Sequence, residues 1–155
     1  MTRAQKTIFW AILLLTVFLI FFRLDRQDML SDDGHYAFRA LGYYDYLVSA
    51  RQTAPVQWFG ERPWWSYLSF HDHPPLFFLL EGLFLKIFGA TVAVSRLLPA
   101  LAALGSLILV YLLGRRLGGV KVGLFSAGAL ALNDYFIWNG RIGHIESLFL
   151  FFFLL

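Results

Sequence analysis

The sequence from Leu97 to Lys121, LLPALAALGSLILVYLLGRRLGGVK, joins an uncharged apolar run to a short basic loop. The run from Leu97 to Gly114 approaches the roughly 20 residues that a helix needs to cross a bilayer. Arg115 and Arg116 follow it directly. Because positively charged loops stay on the cytoplasmic side of a membrane, this loop is predicted to be cytoplasmic. The segment therefore predicts a membrane-spanning helix and the side on which it ends.

The other apolar runs predict an all-α, polytopic protein of the cell membrane. The run from Thr7 to Phe22 follows Arg3 and Lys6, and no small-residue cleavage pattern follows it. It is therefore expected to be an uncleaved anchor with a cytoplasmic N-terminus. We expect spans at about 7–24, 97–114, 122–140 and 145–155. The last of these is too short to span, which predicts that residues 1–155 form the N-terminal part of one transmembrane domain.

The composition supports a lipid environment and excludes several other classes. Hydrophobic residues make up 59% of the chain and charged residues 15%, which is too apolar for an average soluble domain. The formal charge of +3 comes from scattered basic residues, so no nucleic-acid partner is expected. The sequence has no cysteine, which excludes disulfides and thiolate metal sites. Membrane lipid is the partner that the composition predicts.

Residues 25–96 are predicted to form one extracytoplasmic loop, because the helices before and after it cross the membrane in opposite directions. Two juxtamembrane helices are expected in this loop. One follows Ser31 or Asp32 as its N-cap. The other runs from Pro74 to Phe88, and its Glu81 and Lys86 lie roughly 140° apart on the helix, which an interfacial helix tolerates better than a spanning one.

Three polar clusters fall on the extracytoplasmic side under this topology. They are Asp32 with Asp33, then His71 with Asp72 and His73, then Arg141 with His144 and Glu146. A carboxylate there could act as a general base, and cationic groups could bind a phosphate. The clusters therefore predict one extracytoplasmic site against the bilayer.

Each cluster also has a structural interpretation. Asp32 and Asp33 suit a helix N-cap, and 71–73 suits a solvated turn before two prolines. Three adjacent residues are a weak pattern for a metal site. Arg141 suits a headgroup anchor, whereas Glu146 enters an apolar helix, where an ionisable residue indicates function.

The order of these pieces resembles the N-terminal part of the GT-C glycosyltransferases of the protein O-mannosyltransferase and lipid A aminoarabinose transferase type. The resemblance rests on SDDGHYAFRA, HDHPPLFFLLEGLFLKIFG, VSRLLPALAALGSLILVYLLGRRLGG and WNGRIGHIESLFLFF, which cover most of the chain. It implies a GT-C-like fold and places residues 1–155 in a transmembrane catalytic domain. It also implies inverting transfer of a sugar from a polyprenyl-phosphate donor to a protein or to a lipid or glycan acceptor on the extracytoplasmic face.

The resemblance assigns roles to individual residues. The acidic pair that the family uses in catalysis corresponds to Asp32 and Asp33, and the acidic and basic residues at the family's HPP turn correspond to Asp72 and His73. The family's Arg before LLPAL is Arg96, and its later acidic residue is Glu146. Two departures stand out: eukaryotic O-mannosyltransferases have one residue between the equivalents of Asp72 and His73, and the family's usual aspartate is glutamate at 146.

The expected chemistry needs a base for the acceptor hydroxyl and positive charge for the departing phosphate. Asp32 is predicted to be the base, with Asp33 or Asp72 orienting the substrates. The candidates for substrate binding are His73, Arg96, Arg141, His144 and Glu146, and Glu146 is expected to pair with Arg141 or Arg96. No metal site formed by protein ligands is predicted. A divalent metal ion bound together with the lipid-linked donor is left as an alternative.

Two other functional classes are considered. Broken helices and inverted repeats would favour a lipid-linked substrate transporter or flippase, and a membrane sensor or scaffold is the third class.

Overall fold

The computed structural model describes residues 1–26, 28–29, 31–41 and 75–155. All regular secondary structure in those residues is helical, which confirms the predicted all-α class. The helices are α1 Arg3–Phe21, α2 Ser31–Ala40, α3 Pro75–Phe88, α4 Val92–Ser95, α5 Leu97–Ala131, α6 Asp134–Arg141 and α7 Glu146–Leu154. Within the described part of the chain, two stretches, Arg3–Phe21 and Val92–Ala131, are long and apolar enough to cross a membrane.

Helix α1 begins at a capping box. Gln5 N donates to the Thr2 hydroxyl, and Thr2 N donates in turn to the Gln5 side chain, so two amides that have no partner within the helix are satisfied. Most side chains of α1 remain exposed, including Trp10, Leu14 and Phe18. An apolar surface of this extent suits contact with lipid.

Two glycines break α5 into a hairpin with arms 97–117 and 120–131. Gly118 and Gly119 have non-helical dihedrals, and the φ of 82° at Gly119 lies where glycine is favoured. The arms approach closely, because a Cβ placed on Gly123 would lie 2.6 Å from the carbonyl oxygen of Tyr111. Small residues allow such contacts between membrane helices. The turn coincides with the basic loop that the sequence predicts.

The segment predicted as one span over 122–140 is divided in the structure. The second arm of α5 ends at Ala131, and Asn133 caps α6 by accepting a hydrogen bond from Phe136 N at 2.8 Å. Asparagine competes for backbone partners in this way and favours a new helix start over continuation. The arm 120–131 is therefore shorter than a span, and α6 follows as a separate short helix that packs against α1 and α5.

The two ends of the molecule differ in charge. Helix α1 runs antiparallel to the first arm of α5: Tyr111 Oη donates to Met1 Sδ at one end, and Arg96 donates to the carbonyl of Leu24 at the other. Five exposed basic residues lie at the first of these ends, here called the basic end: Arg3, Lys6, Arg115, Arg116 and Lys121. Helices α2 and α3 and the start of α7 lie at the second, here called the Arg96 end. This arrangement places the N-terminus and the basic loop together, as the sequence predicts.

Helix α3 packs its Phe77, Phe78 and Leu85 against the rest of the Arg96 end, while its opposite face is apolar and exposed. The exposed side chains include Leu76, Leu79, Leu83 and Ile87. With 14 residues, α3 is about 21 Å long, less than the roughly 30 Å of a hydrocarbon core. The structure corrects one expectation: Glu81 is fully buried against protein rather than held at the membrane surface.

Candidate active site

A buried ion pair between Asp33 and Arg96 lies at the centre of the Arg96 end. Arg96 Nη2 donates to Asp33 Oδ2 at 2.9 Å, and both side chains are almost fully buried. The pair joins α2 to the start of α5, two elements that are 63 residues apart in sequence. Breaking such a pair by removing one partner is costly, because the other charge is left without compensation.

The Arg96 guanidinium also holds the chain that follows α1. Nη1 donates to Leu24 O at 2.9 Å, and Nη2 donates to Asp28 O at 3.0 Å. A planar guanidinium with several fixed donors suits this bridging role better than a lysine would. Arg96, predicted to bind phosphate, is thus engaged with protein groups that place α2.

Asp32 differs from its neighbour, although both lie in the first turn of α2. Its side chain is exposed, whereas Asp33 is fully buried. Acidic residues in a first turn are favoured by the helix dipole. Ser31 is the first residue of α2, so neither aspartate is the N-cap, and the exposed carboxylate of Asp32 is accessible to a substrate.

Glu81 is a further acidic group of this region that the sequence interpretation did not include in the site. Its side chain is fully buried, and burial together with the negative charge of Asp33 raises the pKa of its carboxyl to about 8. Helix α3 brings it there because α2 and α3 pack closely: a Cβ on Gly82 would lie 2.5 Å from Ala40 O. A carboxyl inside an apolar helix is the signal that could have identified it.

The turn between α6 and α7 closes the site from another side. A Cβ placed on Gly143 would lie 2.9 Å from the Cβ of Asp33, so this glycine permits the contact. The next residue, His144, has its ring against the rings of Tyr36 and Trp138, with centroid distances of 6.1 and 5.7 Å. Its Nε2 is buried and has no hydrogen-bond partner in the described part of the chain. The first and third predicted clusters therefore meet.

Arg141 lies beside the end of α1. Its guanidinium donates to the carbonyls of Leu19 and Ile20, and to Phe22 O at 2.9 Å. These are orphan carbonyls of a helix C-terminus, which cations stabilise. Arg141 also lines an open groove of about 630 Å³ with Trp138 and other side chains of α1, α5 and α6. The groove is mostly apolar, is also lined by Asp134, and has the size of small-molecule sites.

Glu146 has a different partner from those predicted. Its carboxylate lies 3.7 Å from Nδ1 of His144, and its side chain is 52% exposed. Arg96 is paired with Asp33 instead, and Arg141 with the carbonyls of α1. Glu146 thus lies beside His144 at the Arg96 end of the molecule.

The remaining predicted site residues, His71, Asp72 and His73, lie outside the residues that the structure describes. In the described ranges, no group of three or more His, Asp or Glu side chains could hold a metal ion.

Comparison with protein families gives one match. The family model described as dolichyl-phosphate-mannose-protein mannosyltransferase matches residues 72–155, more than half of the chain. The chain belongs to this family. The match contains Glu81, Arg96, Arg141, His144 and Glu146, and the protein is accordingly a membrane glycosyltransferase of the mannosyltransferase type. No curated protein and no solved structure matches it.

The acidic pair of this protein lies before the region that the family model matches. Asp32 and Asp33 precede residue 72, where the family match begins. The structure nevertheless ties Asp33 to Arg96, which lies within the match. The acidic pair therefore belongs to the same structural unit as the family-matched residues.

Proposed function

We propose that this protein transfers a sugar from a polyprenyl-phosphate donor to an acceptor hydroxyl on the extracytoplasmic face of the cell membrane, with inversion at the anomeric carbon. The observation that carries the proposal is the Asp33–Arg96 pair, which joins the acidic first turn of α2 to the family-matched region. The acceptor is a protein or a lipid or glycan. A transporter or flippase is not favoured by the family match, although α5 and α6 are separated by a helix break.

The charge distribution supports the proposed side of the membrane. Arg3, Lys6, Arg115 and Arg116 lie at the basic end, away from the Asp33–Arg96 pair. Because basic segments near spanning helices remain cytoplasmic, the Arg96 end is assigned to the extracytoplasmic side. A multi-pass arrangement with a cytoplasmic N-terminus is consistent with this charge distribution.

In the proposed reaction, Asp32 acts as the general base. Its exposed carboxylate takes the proton of the acceptor hydroxyl while the hydroxyl oxygen bonds to the anomeric carbon. The bond from that carbon to the phosphate oxygen breaks, and the lipid phosphate leaves with the electron pair. A single displacement of this kind inverts the anomeric carbon. Asp33 holds α2 in position through Arg96 rather than accepting the proton itself.

The lipid phosphate needs a cationic site next to an apolar surface. Arg141 and Trp138 line the same groove, and the Trp138 and His144 rings are in contact. A guanidinium provides fixed donors for phosphate oxygens, and an imidazole N–H provides a further donor as the phosphate departs. We assign this groove to the donor, with His73 as an additional candidate cation.

The proposal is tested by incubating the purified protein with radiolabelled polyprenyl-phosphate sugar and candidate acceptors. Asp32→Asn is expected to abolish transfer while insertion and stability are unchanged, because the amide keeps the shape and cannot take the proton. Asp25→Asn, at another exposed aspartate, is the matched control and should transfer normally. Near-normal turnover by Asp32→Asn would exclude Asp32 as the base. Movement of the labelled lipid across a vesicle membrane without sugar transfer would identify a flippase instead. Binding of the labelled lipid with neither transfer nor movement would identify a sensor.

A further inference from the structure

Glu81 lies in an environment that disfavours a second negative charge. The charged or titratable groups on the helices packed against α3 include Asp32, Asp33 and His35 on α2, and Arg96 between α4 and α5; α3 itself carries Lys86, which is exposed. The charge that acts on Glu81 is that of Asp33. Arg96 already forms an ion pair with Asp33, so an ionised Glu81 would add an uncompensated buried charge.

The hydrogen bonds of this region leave complementary groups unsatisfied. Oδ2 of Asp33 accepts from Arg96, but Oδ1 is buried and accepts from no donor in the described residues. Both carboxyl oxygens of Glu81 are likewise buried without a partner there. A protonated carboxyl can donate one hydrogen bond, and an ionised carboxylate accepts through each oxygen. Oδ1 of Asp33 thus lacks a hydrogen-bond donor, and a protonated Glu81 carboxyl has one.

We propose that Glu81 is a positioning residue that remains protonated in the working enzyme and donates a hydrogen bond to Oδ1 of Asp33. This bond keeps the Asp33 carboxylate directed toward Arg96 and thereby holds the first turn of α2, with Asp32, against the substrates. The proposal rests on the function proposed above. The raised pKa of the Glu81 carboxyl, about 8, agrees with a neutral group at physiological pH.

The first test measures stability and needs no activity. Unfolding temperatures of the purified wild type and Glu81→Gln are compared from pH 4.5 to pH 9. Because the folded protein holds this proton more tightly than the unfolded chain, the wild type should lose stability relative to Glu81→Gln as the pH rises from 4.5 to about 8. Above that pH the difference in unfolding temperature between the wild type and Glu81→Gln should be constant. Asp25→Asn removes an exposed carboxylate and is the control. Its unfolding temperature should change with pH in parallel with that of the wild type.

The second test measures transfer. At pH 9, about one unit above the pKa of Glu81, about a tenth of the molecules retain the proton. The wild type should therefore lose about tenfold in activity relative to Glu81→Gln between pH 7 and pH 9. Glu81→Leu, which has similar volume and no donor, should fold but transfer at least tenfold more slowly than Glu81→Gln at pH 7.

The outcomes are distinct. Parallel unfolding curves for wild type and Glu81→Gln would show that Glu81 is ionised or exposed, and would overturn the proposal. Equal activity of Glu81→Leu and Glu81→Gln would overturn the hydrogen bond to Asp33. If the wild type transfers no sugar from any polyprenyl-phosphate donor, the proposed function fails, while the unfolding curves still decide whether Glu81 carries the proton.

Discussion

Removing Arg96 is the perturbation that most directly tests how the site is held together. Arg96→Met keeps a long, unbranched side chain but removes the charge and every donor. The Asp33 carboxylate would then be buried next to Glu81 with no cation, and the carbonyls of Leu24 and Asp28 would lose their partner. Breaking a buried pair in this way costs about 3–5 kcal/mol. Since whole proteins are stable by about 5–15 kcal/mol, this is a large fraction of the total.

A double-mutant cycle separates the ion pair from the loss of packing. Asp33→Asn alone removes the charge that Arg96 compensates, and Asp33→Asn combined with Arg96→Met removes both charges. The combined variant should be more stable than the sum of the single effects predicts, by about 1–3 kcal/mol. Arg26→Met, at an exposed arginine near the same end, is the control and should change stability by less than about 0.5 kcal/mol.

The assay is reversible denaturation of the purified protein in detergent, followed by the fluorescence of its 5 tryptophans. A loss of less than about 1 kcal/mol in Arg96→Met would contradict the structural role of the pair, because that is the range of exposed ion pairs. Strict additivity in the cycle would show that the two side chains do not interact, and the link between α2 and α5 would have to be abandoned.

Three further predictions address the membrane topology, the hairpin of α5 and the role of Glu146. In this cysteine-free chain, Leu117→Cys should be protected from an impermeant thiol reagent in intact cells and Ala90→Cys should react; labelling of the former would reverse the orientation. Gly123→Ala should destabilise the hairpin by about 1–3 kcal/mol in a denaturation assay, because its Cβ meets backbone at 2.6 Å. Gly128→Ala, where the nearest atom is 3.7 Å away, should have little effect, and equal effects would refute the close contact. Glu146→Gln should weaken donor binding or turnover; wild-type transfer kinetics at normal expression would remove this residue from the site.

The parts of the fold that the sequence predicts are those set by local composition. The apolar run of α1 and the basic residues that follow Gly114 are enough to predict a helix and a loop, because hydrophobicity and charge act within a few residues. The interruption at Asn133 was missed for a related reason. The segments before and after Asn133 and Asp134 are largely apolar, so the average hydropathy of 122–140 hides one amide that caps a new helix.

The meeting of two predicted clusters could be expected from the sequence, but the pairing of the individual residues could not. The topology alone brings the acidic turn of α2 and the turn around His144 to one side of the membrane, and the structure places them together. The partner of Arg96 could not be predicted, because Asp33 lies 63 residues earlier and no local pattern connects the two. Glu81 was missed although the rule that selected Glu146, an ionisable residue in an apolar helix, applies to it equally.

The different roles of Asp32 and Asp33 follow from the geometry of α2. Consecutive residues on a helix point about 100° apart, so two adjacent aspartates cannot both face the same neighbour. Asp33 faces inward, where Arg96 compensates its charge and Gly143 leaves room for it. Asp32 is consequently exposed. A base must reach the hydroxyl it deprotonates, which the buried and paired Asp33 cannot do. Loss of Asp33 should therefore reduce stability and transfer together, whereas loss of Asp32 should reduce transfer alone.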